Sequence, residues 1–335
     1  SELSLWFPKI YQNPLRYRRV QAKADIRWDE DALYFNSGSF SAVGEEGVGS
    51  GIFELRIPDQ RDPLGIDLNL QIGMQDADIE YLDKYLPIQL HPAAKNWLSS
   101  ALMSGDFNDV GFLWRGSLKF DRRAHRTMQL FANFANTNLK FDKNWPQAKN
   151  LSGFFLLNDQ DIYIWSDNGI IGEVGLDSLS AELFPKSGKG FQIEFMTHAD
   201  TDAGDFLSLV NQTPLSDLSQ DSFYDWNLEG ALVLDLGLQM DLSEGIESLL
   251  VDANAVLRDV DTHIKPGNLE INDINGNVRY SSELGFSSSE VIGALWGSAL
   301  TIDLNSWSPN TKETSILGDI DEFSTYFACF LDEQI

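Results

Sequence analysis

From Leu228 to Leu242, every second residue is apolar or glycine, whereas the positions between them hold the polar residues of the stretch, such as Glu229 and Asp235. Side chains on a strand alternate between two faces, so this pattern predicts one long β-strand with one apolar face. At about 3.3 Å per residue the strand extends roughly 50 Å, whereas ordinary strands have about 5–6 residues. We therefore expect a long sheet with one apolar surface.

The same alternation recurs through the rest of the chain, with polar turns between the segments. It is clearest at residues 20–28, 51–57 and 66–74, and it resumes at 110–118 and 128–134. Antiparallel strands joined by short polar turns produce this pattern. The sequence therefore predicts a mainly β protein. Strand alternation alone is more typical of a sandwich or barrel with a closed core, so that alternative stays open.

Three short helices are predicted between the strands. The first covers Asp76 to Leu86 with Asp76 as its cap. The second covers His91 to Met103, with Gly105 just beyond its end, and the third covers Thr201 to Val210 with Phe206, Leu207 and Val210 facing inward. These helices divide one continuous extended body into a first β section (1–75), a helical insert (76–105), a second β section (106–200), a short helical insert (201–222) and a third β section (223–335).

Three segments resemble one another, and they begin at Ala24, Gly153 and Gly276. They read ADIRWDEDALYFNSG, GFFLLNDQDIYIWSD and GNVRYSSELGFSSSE. Each consists of a short strand, a polar turn and a return strand. Their spacing far exceeds that of a small solenoid repeat, so it indicates serial sections of a sheet.

Composition excludes several classes of protein. The apolar content of 43% is ample for a core, and the net charge of −27 argues against nucleic acid and against docking on a surface of anionic lipid headgroups. The single cysteine, Cys329, is expected to be a small buried side chain near Phe327 and Phe330. Because the chain opens within sequence that looks structured, we expect a fragment of a longer protein, whose remaining parts would hold any anchor or leader.

No catalytic motif is evident, so we predict neither enzymatic activity nor a cofactor or metal. The histidines His91, His125, His198 and His263 are scattered, without the spacing of a zinc site. The segment HADTDAGD lacks ligands that a calcium loop needs, so it is better explained as an Asp-rich helix start. The basic segment FDRRAHR around Arg122 fits phosphate recognition, but a solvated hairpin tip is the preferred interpretation. A carbohydrate-active enzyme that uses Asp/Glu pairs stays open as an alternative.

The segment LPIQLHPAAKNWLSSALMSGDFNDVGFLWRGSL resembles the YhdP branch of the AsmA-like envelope proteins of Gram-negative bacteria. The matching residues are Leu86, Pro87, Leu90, Pro92, Trp97, Leu98, Ala101, Gly105, Gly111, Arg115, Gly116 and Leu118. Two further segments are similar to the same branch: FDKNWPQAKNLSGFFLLNDQDIYIWSDNGIIG and LEINDINGNVRYSSELGFSSSEVIGALWGSALTIDL. Together the resemblance covers about residues 20 to 305.

The resemblance, which extends to TamB and the bridge-like lipid transfer proteins, implies a specific architecture. It implies an elongated, highly curved antiparallel β-sheet that forms an open groove (a β-taco) with a few short inserted helices. It further implies a periplasmic body, held by an inner-membrane anchor outside this sequence, that carries phospholipid towards the outer membrane and supports its barrier. Its implied partners are phospholipid acyl chains, the inner membrane, and outer-membrane or periplasmic proteins. No catalytic residues carry over.

Residues on the apolar faces of the most regular strands are the candidates to line such a groove. They are Ile66, Leu68, Leu70, Ile72, Val110, Phe112, Trp114, Phe191, Ile193, Phe195, Leu232, Leu234, Leu236, Leu238, Met240 and Leu242. The alternative of a different class is a structural or adhesive β-repeat protein, in which a second sheet closes over this apolar face.

Overall fold

A computed structural model describes residues 3–6, 8, 11–59, 62–86, 88, 92–119, 121–186, 190–216, 225–265, 268–303 and 317–320. The chain divides into two compact units. The first consists of Ser1–Phe141 and Lys149–Ser166, and the second of Asp142–Ala148 and Asp167–Ile335. The positions of Cys329 and of His91 lie outside the described residues, as does the apolar segment from 321 onwards.

The first unit is an antiparallel meander. Its strands are β1 (Leu3–Leu5), β2 (Leu15–Tyr17), β3 (Arg19–Trp28), β4 (Ala32–Val43), β5 (Val48–Pro58), β6 (Asp67–Ala77), β7 (Leu102–Ser117) and β8 (Arg126–Leu139), followed by most of β9 (Ala148–Asn158) and the first half of β10 (Asp161–Ile171). Strands β3 to β8 pair in chain order, each antiparallel to the next. Strands β1 and β2 form a separate two-stranded sheet.

The second unit repeats this arrangement. Its strands are β11 (Val174–Leu176), β12 (Ser178–Pro185), β13 (Phe191–Asp202), β14 (Trp226–Asp241), β15 (Leu250–Ile264), β16 (Leu269–Ser281), β17 (Gly285–Leu295), β18 (Ser298–Asp303) and β19 (Leu317–Ile320). From β12 to β19 they pair antiparallel in chain order. Strand β14 confirms the long strand that the alternation predicts. The three similar segments are also confirmed as strand–turn–strand units, at β3–β4, β9–β10 and β16–β17.

The helices are short: α1 (Leu82–Tyr85), α2 (Pro92–Ala101) and α3 (Ala203–Asn211), with 3-10 turns at Ile79–Tyr81, Arg123–His125 and Gly245–Ser248. The predicted cap at Asp76 is wrong, because β6 continues through that residue. Asp78 is the cap instead, and its carboxylate accepts the Glu80 N–H at 2.9 Å. The second predicted helix is too long, since Met103 and Gly105 already belong to β7.

Helix α3 confirms the third predicted helix. Its cap is Asp202, whose carboxylate accepts the Gly204 N–H at 2.7 Å, so the acidic segment before it is a helix start. Among the residues described, no helix is long and apolar enough to cross a membrane.

A buried carboxylate fixes α1 to the sheet of the first unit. Glu46, in the turn between β4 and β5, has a side chain only 3% exposed, and the Lys84 Nζ donates to its Oε1 at 2.7 Å. The Tyr85 hydroxyl donates to the same oxygen. Burial by itself raises the pKa of Glu46, but these hydrogen bonds outweigh it and the net shift is downward. The ionised carboxylate therefore holds the helix in place.

A row of β-bulges crosses four neighbouring strands of the second unit. It comprises Gly230 in β14 and three residues with left-handed backbone, Asp259, Asp273 and Glu290, whose φ angles are 50°, 54° and 56°. The strand registers shift at this row, from β14–β15 to β16–β17. A Cβ on Gly230 would lie 2.5 Å from the Asp259 carbonyl oxygen, so this close approach requires glycine. Each bulge increases the local twist and bend of its strand.

These findings confirm the predicted fold class at the level of a mainly β protein with an antiparallel, unclosed sheet and a few short helices. Within each unit the described strands form an open section of sheet rather than a closed barrel. The side chains on each face determine which surface of the sheet is apolar and what covers it.

Candidate functional site

The first unit carries one apolar face that is continuous across its strands. Directly paired residues of antiparallel strands point to the same face, so the register defines rows of side chains. One row runs through Phe53, Leu70, Trp114 and Met128. Neighbouring rows add apolar residues on the same side: Phe35, Phe40, Leu55, Leu68, Ile72, Met74, Val110, Phe112 and Leu130.

Most of this face is only partly covered. The central side chains of β6 and β7, among them Leu70, Ile72 and Phe112, are half-buried rather than buried. Towards the first strand, Ile26 is 56% exposed and Trp28 77% exposed. A closed sandwich core would bury such residues almost completely. The first unit therefore presents an apolar surface that is accessible to a ligand.

In the second unit, burial of the apolar face changes along a single strand. On β14, Leu232, Leu234 and Leu236 are only 3%, 2% and 8% exposed. Further along the same face, Leu238 and Met240 are half-buried, and Leu242, just past the strand, is 48% exposed. The face is thus covered at one end and open at the other.

Helix α3 forms part of the cover at the closed end. Its residues Ala203, Phe206 and Val210 belong to the same apolar cluster as Leu232 and Leu234. The Asp202 carboxylate, which caps the helix, also accepts the Gly230 N–H of β14 at 3.1 Å. The helix is therefore tied directly to the strand whose apolar side chains it covers.

The candidate residues fall into three groups. Seven lie together on β6, β7 and the residue before β6 in the first unit: Ile66, Leu68, Leu70, Ile72, Val110, Phe112 and Trp114. At the open end of the second unit, register places Phe195 beside Leu238 and Ile193 beside Met240, with Phe191 and Leu242 adjacent. Leu232, Leu234 and Leu236 lie in the buried cluster that includes α3 residues. Contact of any of these candidate residues, in all three groups, with a ligand stays a prediction.

Arg126 is a cation on the apolar face of the first unit, and it is not among the residues predicted to line a groove. Arg126 pairs with Gly116 and precedes Met128 by two positions, so it projects from the apolar side of β8. Its guanidinium carbon lies 4.9 Å from the centroid of the Trp114 ring. The signal was available in the sequence, because residue 126 has the same parity as Met128 and Leu130.

The histidines that the structure describes do not assemble into a site. His198 Nδ1 lies 2.7 Å from Asp235 Oδ1, and His263 Nδ1 lies 3.9 Å from Glu270 Oε1. In the part of the chain that the structure describes, no group of three or more His, Cys, Asp or Glu side chains is placed to hold a metal ion. The features that dominate the chemistry of both units are therefore apolar faces.

Comparison with known proteins identifies the family of the chain. A protein-family model described as YhdP protein matches residues 1–321. No curated protein and no solved structure matches the chain. Because the family match covers nearly all of its 335 residues, the chain belongs to the YhdP family.

Proposed function

We propose that this chain carries phospholipid by holding its acyl chains against the apolar faces of the sheet. The YhdP family is associated with the cell envelope, and at family level it suggests AsmA-like lipid transport. The proposed setting is the periplasm, with an inner-membrane anchor outside this sequence and transport towards the outer membrane. Its consequence would be maintenance of the outer-membrane barrier.

The observation that carries the proposal is the partly exposed apolar face of the first unit. Two acyl chains contain on the order of 30 methylenes, and moving them through water costs about 0.8 kcal/mol each, or roughly 25 kcal/mol. A protein removes this cost only where apolar surface continues along the path. Rows of apolar side chains that run across β5, β6, β7 and β8 supply such continuity.

The polar residues on the opposite face of these strands are compatible with this use. Position by position, polar residues such as Gln71 and Gln129 alternate with the apolar ones, so they lie on the opposite face of the same strands. The net charge of −27 keeps a protein with a large apolar surface soluble.

The proposal is tested by lipid capture with a matched pair of variants. Phe112 lies on the apolar face, whereas its neighbour Leu113 pairs with Gln71 and Gln129 on the opposite face. We expect phospholipid to co-purify with the unaltered protein, and Phe112→Asp to lose most of it because a carboxylate interrupts the apolar surface. Leu113→Asp introduces the same charge and should retain the lipid.

Mass spectrometry of lipid extracted from folded protein gives the result, and thermal unfolding of each variant shows that it is folded. Lipid-free preparations of the unaltered protein would count against transport. Equal retention by both variants would remove this face from the path.

A second candidate is a structural β-repeat protein with a closed core. It is favoured by the burial of Leu232, Leu234 and Leu236 in a cluster with α3 residues. This function predicts that no lipid is captured and that Phe112→Asp affects stability alone. The absence of enzymatic activity stays a prediction.

A further inference from the structure

A small basic region lies between β7 and β8 of the first unit. The segment from Lys119 to Arg126 holds Lys119, Arg122, Arg123 and Arg126 against the single carboxylate Asp121, in a chain whose net charge is −27. It connects β7 to β8 and includes the 3-10 turn Arg123–His125. The basic side chains therefore lie next to the end of β7 and the start of β8, where the apolar residues of these strands stop.

Arg126 joins this region to the apolar face. Its guanidinium lies over Trp114, and Trp114 belongs to the row that contains Leu70 and Met128. A guanidinium over an aromatic ring keeps its charge while its alkyl stem packs on apolar neighbours. A ligand that lies along this row with its tails would bring its polar end to Arg126.

A cavity of about 450 Å³ opens at the same place. Its lining includes Arg123, Arg126 and Met128, together with Asp159 and Gln160 from the turn between β9 and β10. The turn is fixed to β8, because the Met128 N–H donates to Asp159 Oδ1 at 2.8 Å and the Asp159 N–H donates to the Met128 carbonyl at 2.7 Å. One oxygen of the Asp159 carboxylate in the cavity lining therefore already accepts a hydrogen bond from the backbone.

Two arginines of the region, Arg122 and Arg123, retain capacity to donate. Arg123 Nη1 donates to the Gln160 side chain at 3.3 Å, a long contact at an exposed site. Arg122 Nε is buried without a hydrogen-bond partner within the described residues, and lies 3.8 Å from Asp121 Oδ2. Guanidinium groups present a planar fork of donors that matches phosphate oxygens.

We infer that Arg123 and Arg126 bind the phosphate of a glycerophospholipid headgroup while its acyl chains lie on the Leu70–Trp114–Met128 row. The inference rests on the proposed function and names the part of the lipid that the apolar face cannot recognise. A nucleic acid would fit the arginines equally well as a polyanion, but the net charge of −27 disfavours it, and it has no acyl chains for the apolar row. Free phosphate shares the headgroup chemistry, so the experiment must separate the two sources.

The test compares two lipids that differ only in the headgroup. Vesicles of digalactosyldiacylglycerol, a bilayer lipid without phosphate, carry a trace of phosphatidylethanolamine or of diacylglycerol, with identical fluorescent acyl chains, and capture by the full chain is measured from dequenching. We expect Arg123→Gln and Arg126→Gln each to weaken capture of the phospholipid about tenfold, the loss typical of a charge-assisted hydrogen bond. Diacylglycerol, which has no phosphate, should be captured equally by all variants.

Arg115→Gln is the matched control. Arg115 lies on β7 next to Trp114 but pairs with Asn69 and Thr127 on the opposite face, so the same loss of charge should leave both lipids unaffected. Arg123 is exposed, so its variant should fold normally. Should Arg126→Gln lower the unfolding temperature, Arg123→Gln decides the result.

The outcomes separate the inference from the proposed function. Loss of phospholipid capture alone supports the inference. Equal loss of both lipids, or no loss of either, overturns it while leaving the apolar face as a carrier. Glycerol 3-phosphate that binds the unaltered protein but does not compete with phospholipid would show a site for free anions only, which also overturns it. Capture of neither lipid by the unaltered protein refutes the proposed function itself.

Discussion

A leucine-to-alanine series along β14 tests whether the apolar face of the second unit is open at one end. Leu234, Leu238 and Leu242 share that face but are respectively 2% exposed, half-buried and 48% exposed. If α3 covers only part of the strand, the free energy of unfolding lost on truncation should fall steadily from Leu234 to Leu242.

The magnitudes follow from burial. Leu234 belongs to the cluster that includes α3 residues, so Leu234→Ala should cost about 3–5 kcal/mol, the range for truncations that leave a cavity. Leu242→Ala removes three carbon atoms that already contact water for about half their surface, so it should cost about 1 kcal/mol. Leu238→Ala should fall between them, at about 2 kcal/mol.

Urea unfolding followed by tryptophan fluorescence measures the three values, since Trp145 packs against the same cluster. Repeating the titration with saturating short-chain phospholipid adds a functional readout, because a ligand that binds the folded state raises its stability. That increase should shrink in Leu238→Ala and persist in Leu234→Ala. Equal losses at Leu234 and Leu242 would show that the face is covered from end to end, and would refute an open path in this unit.

Two further predictions concern charge and close packing. Lys186 Nζ lies 2.7 Å from Asp241 Oδ2, and the hydrogen bonds from Lys186 and Ser243 lower the pKa of Asp241 below its ordinary value near 3.8. Because the pKa of Asp241 is lower in the folded state, the ionised carboxylate stabilises the fold above pH 4. This stabilisation is lost as the pH falls below 4. The urea midpoint of Asp241→Asn should therefore change less between pH 4 and pH 2 than that of the unaltered protein; identical pH profiles would contradict this. A Cβ on Gly153 would lie 1.8 Å from the Trp165 carbonyl oxygen, so Gly153→Ala should lower the free energy of unfolding by about 1–3 kcal/mol. Gly73→Ala is the control and should be tolerated, because a Cβ on Gly73 meets no atom within 4 Å. Equal unfolding temperatures of the two variants would refute the close approach at Gly153.

The sequence was sufficient for those elements whose pattern is strict. Alternation over 228–242 predicted β14, and apolar spacing after an aspartate predicted α3, because both depend on local geometry alone. Alternation predicts β6 and the part of β7 from Val110 onwards for the same reason, whereas the start of β7 falls where a helix end is predicted. The sequence also predicts that the apolar side chains of β6 and β7 share one face, because this requires only that the two strands be antiparallel neighbours.

Local patterns failed where two elements compete for the same residues. Asp76 is a good helix cap by type, yet β6 pairs through Ala77 with Phe107 of β7, and the cap moves to Asp78. Nor does the sequence show that α3 covers Leu232 and Leu234, since its apolar face fits any apolar surface. Nor does the basic segment, which predicts a hairpin tip, show that Arg126 begins β8 and lies on its apolar face.

The bulges of the second unit explain how a single apolar face survives defects in the alternation. In β15 the apolar residues Val251 and Leu257 have odd numbers, but beyond Asp259 the buried ones, Val260 and Thr262, have even numbers. Strict alternation would turn Asp259 and Asp261 onto the apolar side. One left-handed residue shifts the phase and returns these carboxylates to the polar side.

The same correction occurs in the adjacent strand at the same level. In β16, Ile271 precedes Asp273 and Ile274 follows it, and both isoleucines join the apolar cluster. Because the phase changes in neighbouring strands side by side, the rows of paired side chains stay matched across the sheet while each strand bends. A path for acyl chains needs this coincidence, since a single strand out of phase would place charged side chains such as Arg279 among the apolar ones.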